Sequence, residues 1–249
     1  MTYSPSAQSL NDELSARYRV AFQGWPAVAD LHCNVSQPQL LRIPESYLLS
    51  DIRLMIVGQE SGGWGGQQDP VTEKGRMELL DEYSGFDLAL NTRWRGTPFW
   101  RAAYEMRDKL NPGGAKNAFL WSNLVPVSER MPSGKYGRPS SAVADSVSAL
   151  GLIAAEMEVA RPEVVVFFTG RSRDAVLRRA FPSASLIDVA QDVVEVKGLP
   201  GNPVAYRTEH PHTLRMRKRW PVLDQVANLA LQAIEAKKSA NRDGLAETR

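Results

Sequence analysis

The chain has 249 residues, 43% of them hydrophobic and 23% charged, with 18 Gly and 16 Pro. That balance excludes disordered, collagen-like and coiled-coil classes and leaves length for one large or two small packed domains. A net charge of +2, from 30 Lys and Arg against 28 Asp and Glu, excludes a globally basic binder but not a local basic patch.

The one cysteine, Cys33, cannot close an internal disulfide, nor supply the several thiolates of a structural zinc or an iron–sulfur cluster. A reducing, cytoplasmic setting is expected, with no cofactor and no metal. His32, beside Cys33, reads as structural, since adjacency without further ligands does not make a metal site. Residues 1–10 lack a basic start followed by an apolar run, and no apolar stretch reaches the roughly 18 residues of a membrane span, so neither export nor insertion is expected.

In chain order, a helix is predicted over about residues 10–23, within an N-terminal helical cover spanning 1–50. Four short apolar runs follow: Ile52 to Val57, Ala118 to Val127, Val164 to Phe168 and Val204 to Thr208, each of buried-strand length. A further strand is expected over Ile187 to Val196. Amphipathic stretches predict helices over Phe99 to Leu110, Ser141 to Ala160, Ser172 to Phe181 and Val222 to Lys237. This alternation implies one α/β domain over residues 1–249, three layers deep, with a central, mostly parallel sheet flanked by helices. Ligands of such sheets sit beyond the carboxyl ends of the strands, which reduces the chain to a short list of residues.

The first run leads into Gly58-Gln59-Glu60-Ser61-Gly62-Gly63-Trp64-Gly65-Gly66, five glycines in nine residues. Such a turn lets backbone approach a ligand closely, with an amide and a carboxylate at its mouth, or serves structure alone. It matches neither a dinucleotide fingerprint nor a nucleotide-triphosphate loop. In the second run, Asn123 interrupts apolar residues and must be satisfied by something, either backbone or the edge of a base. The fourth run ends in Thr208-Glu209-His210-Pro211-His212-Thr213-Leu214. From Arg207 to Arg219, five Lys or Arg face one acidic residue, a local balance of +4. That tract reads as contacts to a phosphodiester backbone or as a solvated helix start. Arg171, Arg173, Arg178 and Arg179, against Asp174, add a second basic cluster after the third run.

Taken together, Gly58-Gln59-Glu60, the pair Pro98-Phe99, Asn123 and His210-Pro211 fall in the order and positions of one family's motifs, and the chain resembles the uracil-DNA glycosylase superfamily from Ile52 to Trp220. The resemblance implies a monofunctional glycosylase acting on DNA, in repair or in defence against modified phage DNA. It implies Glu60 as the acid that handles water, Phe99 as the ring stacked on an extruded base, and Asn123 as the reader of its pairing edge. His210 would stabilise the leaving base, with Gln59 and His212 as further substrate contacts and Leu214 as a wedge in the duplex. Arg215, Arg217, Lys218 and Arg219, with Arg171 and Arg173, would hold phosphates. Where the best-known members have Asp, Pro and Tyr, this chain has Glu60, Ser61 and Gly62. The tyrosine blocks C5 substituents, so Gly62 implies room for a C5-modified cytosine as well as uracil.

The asparagine alone does not choose between those bases. Its amide pairs with uracil in one sense and with cytosine in the other. Other readings of the chain are a catalytically silent DNA- or nucleotide-binding module and a hydrolase of free nucleosides, the last opposed by the +4 tract.

Overall fold

The computed structural model describes residues 5–31, 34–66, 68–86 and 96–246. Helix α1 (Ala7–Ala21) starts where Ser6 accepts from the Ser9 amide, and buries Leu10, Leu14 and Tyr18 at intervals of four. Short helices α2 (Trp25–Leu31) and α3 (Glu45–Leu48) follow, then strand β1 (Leu54–Glu60). Next come α4 (Glu73–Gly85), capped by Thr72, and α5 (Pro98–Leu110), with proline in its first turn. Strand β2 (Leu120–Val125) precedes a two-residue pairing of β3 (Glu129–Arg130) with β4 (Tyr136–Gly137).

The helix predicted over Ser141 to Ala160 is two helices, α6 (Ser141–Ser148) and α7 (Leu152–Ala160). Gly151 lies between them at φ +67, a conformation that breaks the helical path while the apolar spacing continues on both sides. After β5 (Val164–Phe167) and a 3-10 turn at Arg171–Arg173 comes α8 (Asp174–Ala180). The strand expected over Ile187 to Val196 is a hairpin, β6 (Ser185–Ala190) and β7 (Val193–Lys197), turning at Asp192 with φ +65. Aspartate tolerates that left-handed conformation without announcing it as Asn-Gly would. Strand β8 (Val204–Thr208), α9 (Pro211–Met216) and α10 (Val222–Ala246) complete the chain.

The strands form one six-stranded sheet in the order β2-β1-β5-β8-β7-β6. The pairs β1–β2, β1–β5 and β5–β8 are parallel, and the β6–β7 hairpin joins β8 antiparallel. Helices α5, α9 and α10 pack together on one face, while α1, α6, α7 and α8 cover the other, giving the expected three-layer α/β domain. From β1 the chain moves to β2 on one side and later to β5 on the other, so the crevice beyond β1 is the sheet's switch point. No helix among the described residues is long and apolar enough to cross a membrane.

The N-terminal segment does more than cover the sheet. The Ser36 and Gln39 amides donate to the Ser128 and Pro126 carbonyls, each at 2.8 Å, so residues 36–39 lie along the chain that continues from β2. The Tyr18 hydroxyl and Ser122 both donate to Glu156, tying α1, α7 and β2 through a fully buried carboxyl.

Candidate active site

Beyond the switch point lies a cavity of about 200 Å³ lined by Gly58, Gln59, Glu60, Phe99, Trp121, Asn123 and His210. That is below the ~300–1,000 Å³ of pockets for drug-sized molecules and suits a single small ring system. Its position follows from register. Gly58 sits opposite Asn123 in the β1–β2 pairing, so both face α5, whose first turn presents Phe99. A Cβ on Gly58 would land on the Asn123 carbonyl oxygen and press on the Phe99 ring, so only glycine lets the amide and the ring close on this floor.

Phe99 forms one wall. Its ring lies 6.2 Å from the His210 imidazole at an interplanar angle of 21°, and meets Phe168 edge-on at 6.0 Å. Behind it, Trp121, Trp100, Phe86 and Trp64 form a continuous aromatic cluster that holds the wall rigid. Trp121 lines the cavity itself, although the sequence marks it only as one more apolar residue in a strand.

His210 is the N-cap of α9: the His212 amide donates to its Nδ1 at 3.2 Å. Nδ1 is therefore an acceptor, and the ring proton of the neutral imidazole resides on Nε2. Burial, then the nearby charges of His212 and Arg138, lowers the His210 pKa to about 4, so the ring is uncharged at neutral pH.

Glu60 closes the end of β1 and accepts from the guanidinium of Arg173. Arg173 is 4% exposed and therefore does not belong to a phosphate-binding surface, as the sequence suggested; it clamps the carboxylate instead. Gln59 donates to the Thr169 carbonyl at 2.6 Å and accepts from Arg138 at 3.4 Å, which holds its amide at the mouth. The buried Asn123 amide donates to Gln39.

Other expected residues fall elsewhere. Leu214 is fully buried and packs in the core, so it is not available as a wedge; α9 instead presents Met216, 67% exposed. A six-residue helix must bury one face, and periodicity in so short a segment cannot reveal which. Gly62 is exposed and outside the cavity lining, its amide donating to the Ser128 hydroxyl at 2.8 Å. Its φ of +75 accounts for glycine there, and a Cβ would meet nothing within 4 Å. His212 is exposed and contributes its backbone amide to His210.

Among the basic residues, Arg171, Arg215, Arg217 and Lys218 are exposed. Arg171 lies 3.6 Å from Asp188, and Arg219 lies 3.3 Å from Asp192. Arg207, counted in the +4 tract, is buried against Asp174 at 2.9 Å and does not reach the surface patch. Arg179 pairs with Asp145. His32 and Cys33 lie outside the described residues. Among those described, no group of three or more His, Cys, Asp and Glu is placed to hold a metal ion. No protein-family model matches the chain, and no curated protein matches it.

Proposed function

We propose that this protein is a monofunctional DNA glycosylase that hydrolyses the N-glycosidic bond of an everted pyrimidine in the cytoplasm, leaving an abasic site. One observation carries the reading: a ring-sized slot joins an aromatic wall, an amide, a carboxylate and a neutral imidazole contributed by three strand ends and α5. Cleavage needs water on one face of the sugar, an anion near the oxocarbenium-like centre, and a donor for the departing base. Glu60 meets the first two needs, and Nε2–H of His210 the third. Extruding a base costs a few kcal/mol of unstacking, which packing on Phe99 offsets. No lysine lines the slot among the described residues, in keeping with direct hydrolysis rather than a Schiff base.

DNA, rather than a free nucleoside, is favoured by the exposed Arg215, Arg217 and Lys218 beyond His210, where the strand carrying an everted base would pass. Met216 among them takes the wedge role that Leu214 cannot. A silent binding module is favoured by one feature, the Arg173 clamp on Glu60, since the carboxylate oxygen that accepts from Arg173 is committed to that contact and is not free to orient a water.

Incubation with oligonucleotides carrying uracil, hypoxanthine or C5-modified cytosine separates the two readings. Free base detected by mass spectrometry, with alkali-labile sites left in the strand, is the expected result; DNA binding without release from any substrate identifies the silent module. On the binding side, Arg217→Ala is expected to weaken DNA affinity and reduce the slope of log K against log salt by about one. An unchanged slope removes Arg217 from the phosphate contacts.

The two apolar residues of α9 give opposite expectations. Leu214→Ala should cost about 2–5 kcal/mol of stability in urea titration, with DNA affinity of the folded protein unchanged. Met216→Ala should leave stability within about 0.5 kcal/mol and weaken DNA binding. Equal melting behaviour of the two variants overturns this division.

A further inference from the structure

We propose that Gln39, a residue outside the slot, determines which base the slot accepts by holding the Asn123 amide in one sense. The inference rests on reading the slot as a nucleobase site, and it concerns selection of the base rather than hydrolysis.

The hydrogen bonds leave the amides no freedom. Gln39 is 2% exposed, and its side chain reaches the Trp121 carbonyl at 3.3 Å. A carbonyl accepts only, so the Gln39 nitrogen must face it, and the Gln39 oxygen must face the other way. That oxygen meets Asn123, which is therefore obliged to present Nδ2. The Asn123 oxygen is left on the far side, above Gly58 on the slot floor. A backbone carbonyl thus sets the sense of two successive side-chain amides, and the second offers the slot an acceptor.

Turning Asn123 over would set its oxygen against the Gln39 oxygen, two acceptors in a buried site without a proton between them. With the amide so held, a lactam base donates its ring N–H to Asn123. Cytosine has a bare lone pair at the same ring position, facing the Asn123 oxygen. Sites built around a hydrogen bond to a ligand N–H reject analogues that lack it more strongly than apolar pockets reject a misfit.

Binding of 1-methyluracil and 1-methylcytosine to the full chain, followed by NMR of the Asn123 side-chain amide, tests the proposal without requiring catalysis. The wild type is expected to bind 1-methyluracil at least about tenfold more tightly. Gln39→Glu keeps an acceptor against Nδ2 and should preserve that preference, although it loses the bond to Trp121. Gln39→Leu frees the amide and should reduce the preference to within about threefold. Gln39→Glu loses one buried hydrogen bond and Gln39→Leu two, so a merely structural role would lower stability and both affinities without changing their ratio. A wild type that binds both bases equally, prefers 1-methylcytosine or binds neither overturns the inference, as does an undiminished preference in Gln39→Leu. A preserved preference with no base released from DNA overturns the hydrolytic reading alone.

Discussion

His210→Ala is expected to lower the single-turnover rate of base release by roughly 10²–10³-fold while leaving DNA affinity within about threefold, the loss typical of removing one preorganised donor. The donor here is an uncharged imidazole. A protonated imidazole would have to carry hydrogen on Nδ1, where the His212 amide already donates, so protonation would break the α9 cap as well as add a buried charge. Burial and the neighbouring His212 and Arg138 charges instead keep the pKa at about 4. The active form of His210 is therefore present above that value and is lost only as pH falls through it. The wild-type rate should show no titration of His210 between about pH 8 and about pH 5.5, whereas an ordinary imidazole would titrate near 6.5. A step in that range that disappears in the alanine variant overturns the assignment. Glu60→Gln should lose release comparably, but it also leaves the Arg173 charge buried without its anion, a loss on the order of 3–5 kcal/mol when a buried pair is broken. Its rate must be read per folded molecule, with melting measured alongside.

A large, pH-dependent effect on stability is expected on the opposite face of the sheet. Burial raises the Glu156 carboxyl from 4.5 to about 7, against the lowering effect of hydrogen bonds from Ser122 and Tyr18. Below pH 4.5 both folded and unfolded chains hold the proton. Between 4.5 and about 7 the folded protein holds it and the unfolded chain does not, so stability falls as pH rises through this window and is lower thereafter. The difference is on the order of 3 kcal/mol. Glu156→Gln removes it, because an amide fills the same space, accepts from one hydroxyl and donates to the other. The Tyr18 hydroxyl has the Leu41 carbonyl, 3.4 Å away, as an alternative acceptor. Relative to the wild type, the glutamine variant should gain roughly 6–12 °C in melting temperature between about pH 5 and about pH 8. A gap that stays constant across that range overturns the assignment.

Much of this molecule was legible in the chain. The four apolar runs became the four parallel strands, because buried strands need unbroken apolar residues and little else competes for that pattern. The strand-end rule then placed Gln59, Glu60, Asn123 and His210 around one cavity, as connectivity alone allows. Capping residues set helix starts at Ser6, Thr72 and Ser140. Local sequence determined these features because hydrophobic period, capping and turn chemistry act over a few residues.

Only tertiary structure decided what each charge and each apolar side chain is for. Arg173 and Arg215 look alike in the chain, yet one is buried against Glu60 and the other is exposed, since the 3-10 turn after β5 faces the end of β1. Leu214 and Met216 are two residues apart, and the rotation of one short helix buries the first and exposes the second. Gln39 carries no signal at all in sequence. Its role exists because a segment 84 residues away from Asn123 lies against β2, and a carbonyl there dictates the direction of a hydrogen bond. Charge and hydrophobicity are properties of a residue, whereas partnership depends on distance, and distance is settled only when the sheet closes.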